Sequence, residues 1–387
     1  MEFMKNWKET TLGEIAEIKG GKRLPLGSSL QKEKNNHPYI KIANISNNQV
    51  GIIDEYVPDD VFEVIKRYIV NGGDVILSIV GTIGLIAKIP NSLHHANLTE
   101  NCVKILPNRN ILDDDYLYYF LISRIGQSEI TSNTVGAVQP KLPIYGVQNI
   151  RISLPPIPEQ KQIVAVLLNL DDKIGLLRAE NETLEKIAQG IFKEWFVDFR
   201  IGGKKLKLNN GVPEGWRSGK LGDILSLEYG KALKEGNRSG SGFPVYGSNG
   251  VVGHNDEFLV KGDGIVVGRK GSMGTVLWVE NNFYPIDTAF YVRDKIGVEK
   301  LFFHYLLLSK QDFEKVGSDS AVPGLNRNSA YCLEMIIPET VIINKFNEII
   351  EPVFSKKKLN NSQIQALSRL RDTLLPKLMG GEMRVEG

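Results

Sequence analysis

Residues 158–199 read PEQKQIVAVLLNLDDKIGLLRAENETLEKIAQGIFKEWFVDF, and the spacing of their apolar residues decides the architecture. Ile163, Leu167, Leu170, Ile174, Leu177, Asn181, Leu184, Ala188, Ile191 and Trp195 step 4-3-4-3 without a break, the seam of a heptad helix. Adding 183 to each position gives Phe346, Ile350, Val353, Lys357, Asn360, Ile364, Leu367, Arg371, Leu374 and Leu378, seven of ten apolar. Each helix leaves an apolar stripe that must be covered, so the two are expected to pack on each other.

Prolines mark both helix entrances, Pro155, Pro156 and Pro158 before the first and Pro338 before the second. Proline is tolerated there because the first amide protons of a helix have no partner. At about 1.5 Å per residue the first helix spans roughly 60 Å, and Gly202, Gly203 and the polar run to Gly215 read as a linker. A chain that leaves along one helix, folds a second domain and leaves by another helix must return if the helices pair, so they are expected to be antiparallel. Pro352, with Lys357, Asn360 and Arg371 on the seam, predicts a kink or a late start in the second helix.

The segments before the helices repeat as well. Trp7 is followed by Leu12-Gly13-Glu14-Ile15, and Trp216 by Leu221-Gly222-Asp223-Ile224. A glycine-punctuated apolar run recurs at 73–84 and 262–274, and reads as a buried strand ending in a tight turn. Helical segments follow at 115–128 and 298–316, then polar loops at 131–141 and 317–328, then last strands at 150–154 and 334–337. The expected fold class is α+β: two similar mixed domains, 1–157 and 201–338, separated by two long antiparallel coiled-coil helices at 158–200 and 339–387, with a pseudo-twofold internal repeat.

A chain of 387 residues exceeds what one core usually serves, and 42% hydrophobic with 24% charged residues is ordinary for a soluble protein. Net charge is only +2, and residues 1–157 carry 16 basic and 16 acidic groups. A DNA partner would therefore require folding to gather positive charge on one face of each domain. Cys102 and Cys332 read as small buried thiols, one in each half. The first twenty residues are interrupted by Lys5, Lys8, Glu9, Glu14 and Glu17, unlike a signal peptide, and the most apolar run, 75–89, is too short to cross a bilayer. A cytoplasmic location with no membrane partner is expected.

Motifs for chemistry are missing. There is no G-x-x-x-x-G-K-[ST] phosphate loop, and Gly268, Gly271 and Gly274 lack the spacing of a dinucleotide fingerprint. His94 and His95 are adjacent and have no further ligand at zinc spacing. Asp113, Asp114 and Asp115 read as the acidic first turn of a helix, and there is no Gly-x-Ser-x-Gly, methylase or nuclease core. The expectation is a chain with no catalytic residues, metal or cofactor. What stands out instead is loops that combine glycine, hydrogen-bonding side chains and isolated cations. In the first half these are Lys22, Arg23, Lys41, Asn44, Thr82, Thr134, Gln139 and Lys141; in the second, Lys231, Tyr246, Ser248, Asn249, Arg269, Lys270, Ser272, Asn326 and Arg327. Arg and Lys suit guanine edges, Asn and Gln suit adenine, and glycine admits a close backbone approach to phosphate.

With Leu154-Pro155-Pro156-Ile157-Pro158-Glu159-Gln160 leading into Ile163, residues 188–199 closing the first helix, Phe243-Pro244-Val245-Tyr246-Gly247-Ser248-Asn249-Gly250, and Gly268-Arg269-Lys270-Gly271-Ser272, the sequence resembles the specificity subunit of type I restriction-modification systems over nearly its whole length. In the second half the helix entrance shortens to Ile337-Pro338-Glu339. The resemblance implies two target-recognition domains, each reading half of a bipartite asymmetric site in double-stranded DNA, with helices that set the spacing. It further implies docking of two adenine-specific DNA methyltransferase subunits, with a restriction and translocase subunit joining for cleavage. The docking and pairing seam would comprise Ile163, Leu167, Leu170, Ile174, Leu177, Leu184, Ile191 and Trp195 with Ile350, Ile364, Leu367 and Leu374. The rival reading is a coiled-coil scaffold whose end domains bind protein. Heptad seams can also pair between chains, which allows self-association of the isolated subunit.

Overall fold

A computed structural model of the chain describes residues 7–316 and 324–385. It divides into two compact units, residues 1–175 with 365–387, and residues 176–364. Each unit is built on the same antiparallel sheet. In the first, the strands lie in the order Ala16–Gly20, Cys102–Pro107, Val75–Ser78, Ile86–Lys88, extended by Gln49–Val50 and Ile45–Ser46. The second has Leu225–Tyr229, Ala289–Asp294, Gly264–Gly268 and Val276–Val279 in the corresponding order. Val75–Ser78 and Gly264–Gly268 are buried at every position, as expected of short β-branched runs covered on both faces.

The opening strand of each half pairs with its last strand. Lys8–Thr11 runs antiparallel to Arg151–Leu154, and Arg217–Lys220 to Glu334–Ile337. Each domain thus closes on the residues that enter its long helix, which explains why both halves open alike. The segment read as one helix at 115–128 is two, Asp114–Ile122 and Arg124–Ser132. Ser123 breaks them in extended backbone, and its hydroxyl accepts from Gly126 N at 3.2 Å to cap the second. Asp113 caps the first by accepting from Asp115 N and Tyr116 N at 2.9 and 3.1 Å. In the second unit the corresponding region holds Phe302–Leu308 and a 3-10 turn, Phe313–Val316. Part of the polar loop at 317–328 lies outside the described residues. The linker is not featureless: Arg200–Ile201 pairs with Lys204–Lys205, and Leu208–Asn209 with Val212–Pro213.

The long helices are Ile157–Phe196 and Thr340–Met379. The late start expected at Pro352 does not occur. Ile343, Phe346 and Ile350, all ahead of the proline, are fully buried in the core of the second unit, and this packing holds turns that a proline would weaken. Phe346 meets Phe196, Trp195 and Phe192 at ring distances of 5.0, 5.8 and 6.0 Å. In that unit Asn181 bonds Asn361 at 2.9 Å, Glu180 accepts from Asn360 at 2.8 Å, and Glu185 pairs with Lys357. From Asn181–Asn361 to Glu185–Lys357 to Trp195–Phe346 the partners step in opposite directions, so the helices are antiparallel. In the first unit Asp171 accepts from Arg371 at 2.7 Å. All three polar interruptions of the second seam therefore have a partner on the other helix. Ile163, Leu167, Ile174, Leu177, Trp195 and Ile350 are buried; Leu170, Leu184, Ile191, Ile364, Leu367 and Leu374 are half-buried.

Cys102 is buried, and burial pushes its thiol up to about 12. Cys332 departs from expectation by being exposed, because it caps the short helix Arg327–Tyr331 on the way to the last strand. No helix among the described residues is long and apolar enough to cross a membrane. Replacing Phe346 with Ala should destabilise the protein by about 3–5 kcal/mol, the usual range for an aromatic truncated in a packed core. A shift of the urea midpoint worth less than about 1 kcal/mol would show that the aromatic cluster does not hold the helices.

Candidate nucleic-acid interface

Backbone hydrogen bonds gather the polar loops at one end of each sheet. In the first unit Gly21 N donates to Cys102 O (2.9 Å), Lys22 N to Leu98 O (2.8 Å), Ile79 N to Asn101 O (2.8 Å) and Leu142 N to Ile79 O (2.8 Å), while Val80 bridges Lys141. The second unit repeats the set: Gly230 N to Ala289 O (3.1 Å), Lys231 N to Pro285 O (3.1 Å), Arg269 N to Thr288 O (3.0 Å) and Leu325 N to Arg269 O (2.9 Å), with Lys270 bridging Gly324. The turns between the central strands match too. Gly84 N donates to Ser78 O and Gly274 N to Gly268 O, and Gly81 and Gly271 both sit at φ +77°, which favours glycine. A Cβ on Gly21 would lie 2.0 Å from Thr99 O, and one on Gly230 2.2 Å from Ile286 O, so only glycine permits this close crossing of the chain.

On the rim of the first unit Lys22, Arg23, Thr82, Gln139 and Lys141 are exposed. The Lys22 ammonium lies 5.7 Å from the Tyr68 ring centre. Arg23 is tied to Glu100 by a 2.6 Å ion pair. Burial works to raise the Glu100 carboxyl, but the Arg23 hydrogen bond, with others from its own backbone and Thr99, outweighs it and holds the group below the ordinary carboxylate value. Lys41 pairs with Glu55. Asn44 is engaged at both ends of its amide, accepting from Lys41 N at 2.9 Å and donating to Ile52 O at 3.0 Å. The Thr134 hydroxyl donates to Ile130 O at 2.9 Å.

In the second unit Lys231, Asn249, Lys270 and Ser272 are exposed. Ser248 is buried and donates to Thr288 O at 2.5 Å; Tyr246 is half-buried and stands edge-on to Phe283 at 5.9 Å. Asn326 caps the helix Arg327–Tyr331 by accepting from Asn328 N and Ser329 N at 2.9 and 3.1 Å. Arg269 donates to Asp287 O at 2.9 Å, and its guanidinium lies 4.8 Å from the ring centre of Tyr229; that of Arg327 lies 4.7 Å from the same ring. The sequence reading misses Tyr229; its place directly before Gly230, in a loop that also carries Lys231, is the one signal the sequence offers for it. Among the described residues no group of His, Cys, Asp or Glu is arranged to hold a metal ion. The rim offers cations, amides and hydroxyls on a crowded backbone frame, the side-chain types that contact phosphates and base edges. Gly230→Ala should open that crossing and speed amide hydrogen exchange at 268–274 and 285–289, leaving exchange at 75–107 unchanged; protection unaltered at 268–274 would show that the crossing does not order the rim.

The family of the type I restriction modification DNA specificity domain matches residues 4–186 and 213–369. The specificity subunit of the type I restriction enzyme MjaIX from Methanocaldococcus jannaschii is 26% identical, over 99% of this chain and 94% of the relative. That of the type I restriction enzyme HindI from Haemophilus influenzae is 24% identical, over 98% of this chain and 100% of the relative. Among solved structures, the S subunit of a type I restriction-modification system from M. genitalium has the same fold, with a TM-score of 0.60, 20% identity and 96% of each chain covered. With both halves matched, the chain belongs to the family of type I restriction-modification DNA specificity subunits.

Proposed function

We propose that this chain is the sequence-recognition subunit of a type I restriction-modification complex, and that each repeat reads one half of a bipartite, asymmetric site in double-stranded DNA. One observation carries the reading: the two units share a backbone frame of rim loops and fill it with different side chains. At matched points the first has Ile79, Val80 and Lys141, the second Arg269, Lys270 and Gly324. A common frame positions each unit alike on the duplex, and unlike side chains give unlike half-sites.

In this reading residues 1–157 and 201–338 are the recognition domains, and the helices at 158–200 and 339–387 form the spacer. Two readers on one face of a duplex must engage it about one helical turn, roughly 34 Å, apart. The helices dock two adenine-specific methyltransferase subunits, and a restriction and translocase subunit completes the nuclease. The chain itself performs no catalysis and acts in the cytoplasm, where the DNA is. The methyltransferases flip the target adenines, because a base within the stack is out of reach of their chemistry.

The test is to co-express the full chain with its methyltransferase and map methylated adenines by single-molecule sequencing. A bipartite, non-palindromic motif with a fixed gap is expected; an active methyltransferase with no such motif would favour a scaffold whose ends bind protein. Matching heptads inserted between Leu177 and Arg178 and between Ile364 and Gln365 should lengthen the gap by about 3 base pairs, at about 1.5 Å of rise per residue. An unchanged gap would defeat the ruler.

A further inference from the structure

We propose that the second unit reads a guanine through the Arg269 and Arg327 pair that faces Tyr229, and that the first unit has no equivalent contact. The proposal rests on the DNA-reading role argued above and names a base that role leaves open. Both guanidinium groups lie within 5 Å of the Tyr229 ring centre, and Tyr229 is 46% exposed on the rim. The ring is braced by Phe290 at 5.0 Å. Tyr331, whose ring is 5.9 Å from Arg327, is anchored through its hydroxyl, which accepts from Leu227 N at 2.8 Å. Stacking on a held aromatic ring restricts the plane of each guanidinium, which a long side chain in solvent would otherwise sample freely.

Neither arginine pairs with a carboxylate among the described residues, whereas Arg23 and Lys41 of the first unit do. Arg269 uses one donor on Asp287 O and keeps the rest of its fork. Arg327 Nε is buried without a hydrogen-bond partner among the described residues, an unsatisfied donor on a permanent cation. These are cations held ready for an external acceptor. A planar fork of two parallel donors matches the O6 and N7 acceptors that guanine alone presents side by side in the major groove. At the matching points of the first unit stand Gly20, Ile79 and Ile144. The Ile144 Cδ1 lies 4.0 Å from where a Cβ on Gly20 would sit. That corner has neither platform nor fork.

The experiment is methylated-adenine mapping with the full chain and its methyltransferase, comparing wild type with Arg327→Lys, Arg269→Lys, Tyr229→Leu and Tyr229→Phe. Lysine keeps the charge and loses the fork. Arg327→Lys or Arg269→Lys should reduce the preference for guanine at one position of one half-site roughly tenfold or more, the other half-site being unaffected. Tyr229 is a positioning residue: Tyr229→Leu should relax the same position and Tyr229→Phe should retain it. Thermal melting of each variant checks that the unit remains folded. An unchanged motif in both lysine variants, a uniform loss of methylation at every site as for a phosphate contact, or relaxation at a position that is not a G·C pair would overturn the proposal. Absence of any bipartite motif in the wild type would instead reject the recognition role itself.

Discussion

The antiparallel packing of two forty-residue helices is the constraint on which the rest depends. Each helix serves two cores. The first contributes Ile163, Val164 and Leu167 to the core of the first unit and Ala188, Phe192 and Trp195 to that of the second. The second helix contributes Ile343, Phe346 and Ile350 to the second unit and Leu375 and Leu378 to the first. Burying both ends of a helix in packed cores leaves its middle free to be polar. That is where Asn181, Glu185, Lys357, Asn360 and Asn361 meet.

Such polar pairs add little net stability, since desolvation offsets much of their attraction. Their effect is on register. Asn360 is fully buried and donates to Glu180 and Asn181; sliding either helix by a turn would bury its amide against apolar neighbours. An apolar seam alone tolerates such a slip, because one leucine layer resembles the next. If the helices set a distance, as proposed above, register matters more than a further increment of stability.

The rim loops depend on a different economy of space. Gly21 and Gly230 let one segment cross another at less than the distance any side chain allows, and backbone bonds at the crossing tie the loops to the sheet in both units. Because the bonds common to the two frames are backbone bonds, side chains on the rim are free to differ between the units. The pairing of Arg23 with Glu100 and Lys41 with Glu55 in one, against arginines beside Tyr229 that have no carboxylate partner among the described residues in the other, is that freedom in use.

The sequence by itself determined the duplication, the two long helices, their seams and the buried central strands, because these rest on periodicity, which survives in one dimension. It also made the glycine-punctuated turns legible, since positive φ at Gly81 and Gly271 has few other occupants. Tertiary structure decided the rest. The second helix runs through Pro352 because Phe346 and Ile350 are held in a core no local propensity reports. Lys357, Asn360 and Arg371 looked like faults in the seam until their partners on the other helix were in place. Among the rim residues, chemistry alone could not separate the engaged from the available. Asn44 and Asn326 are bonded within their own loops, and Tyr229 gains its place from two arginines forty and ninety-eight residues further along the chain, a proximity that only the folded sheet creates.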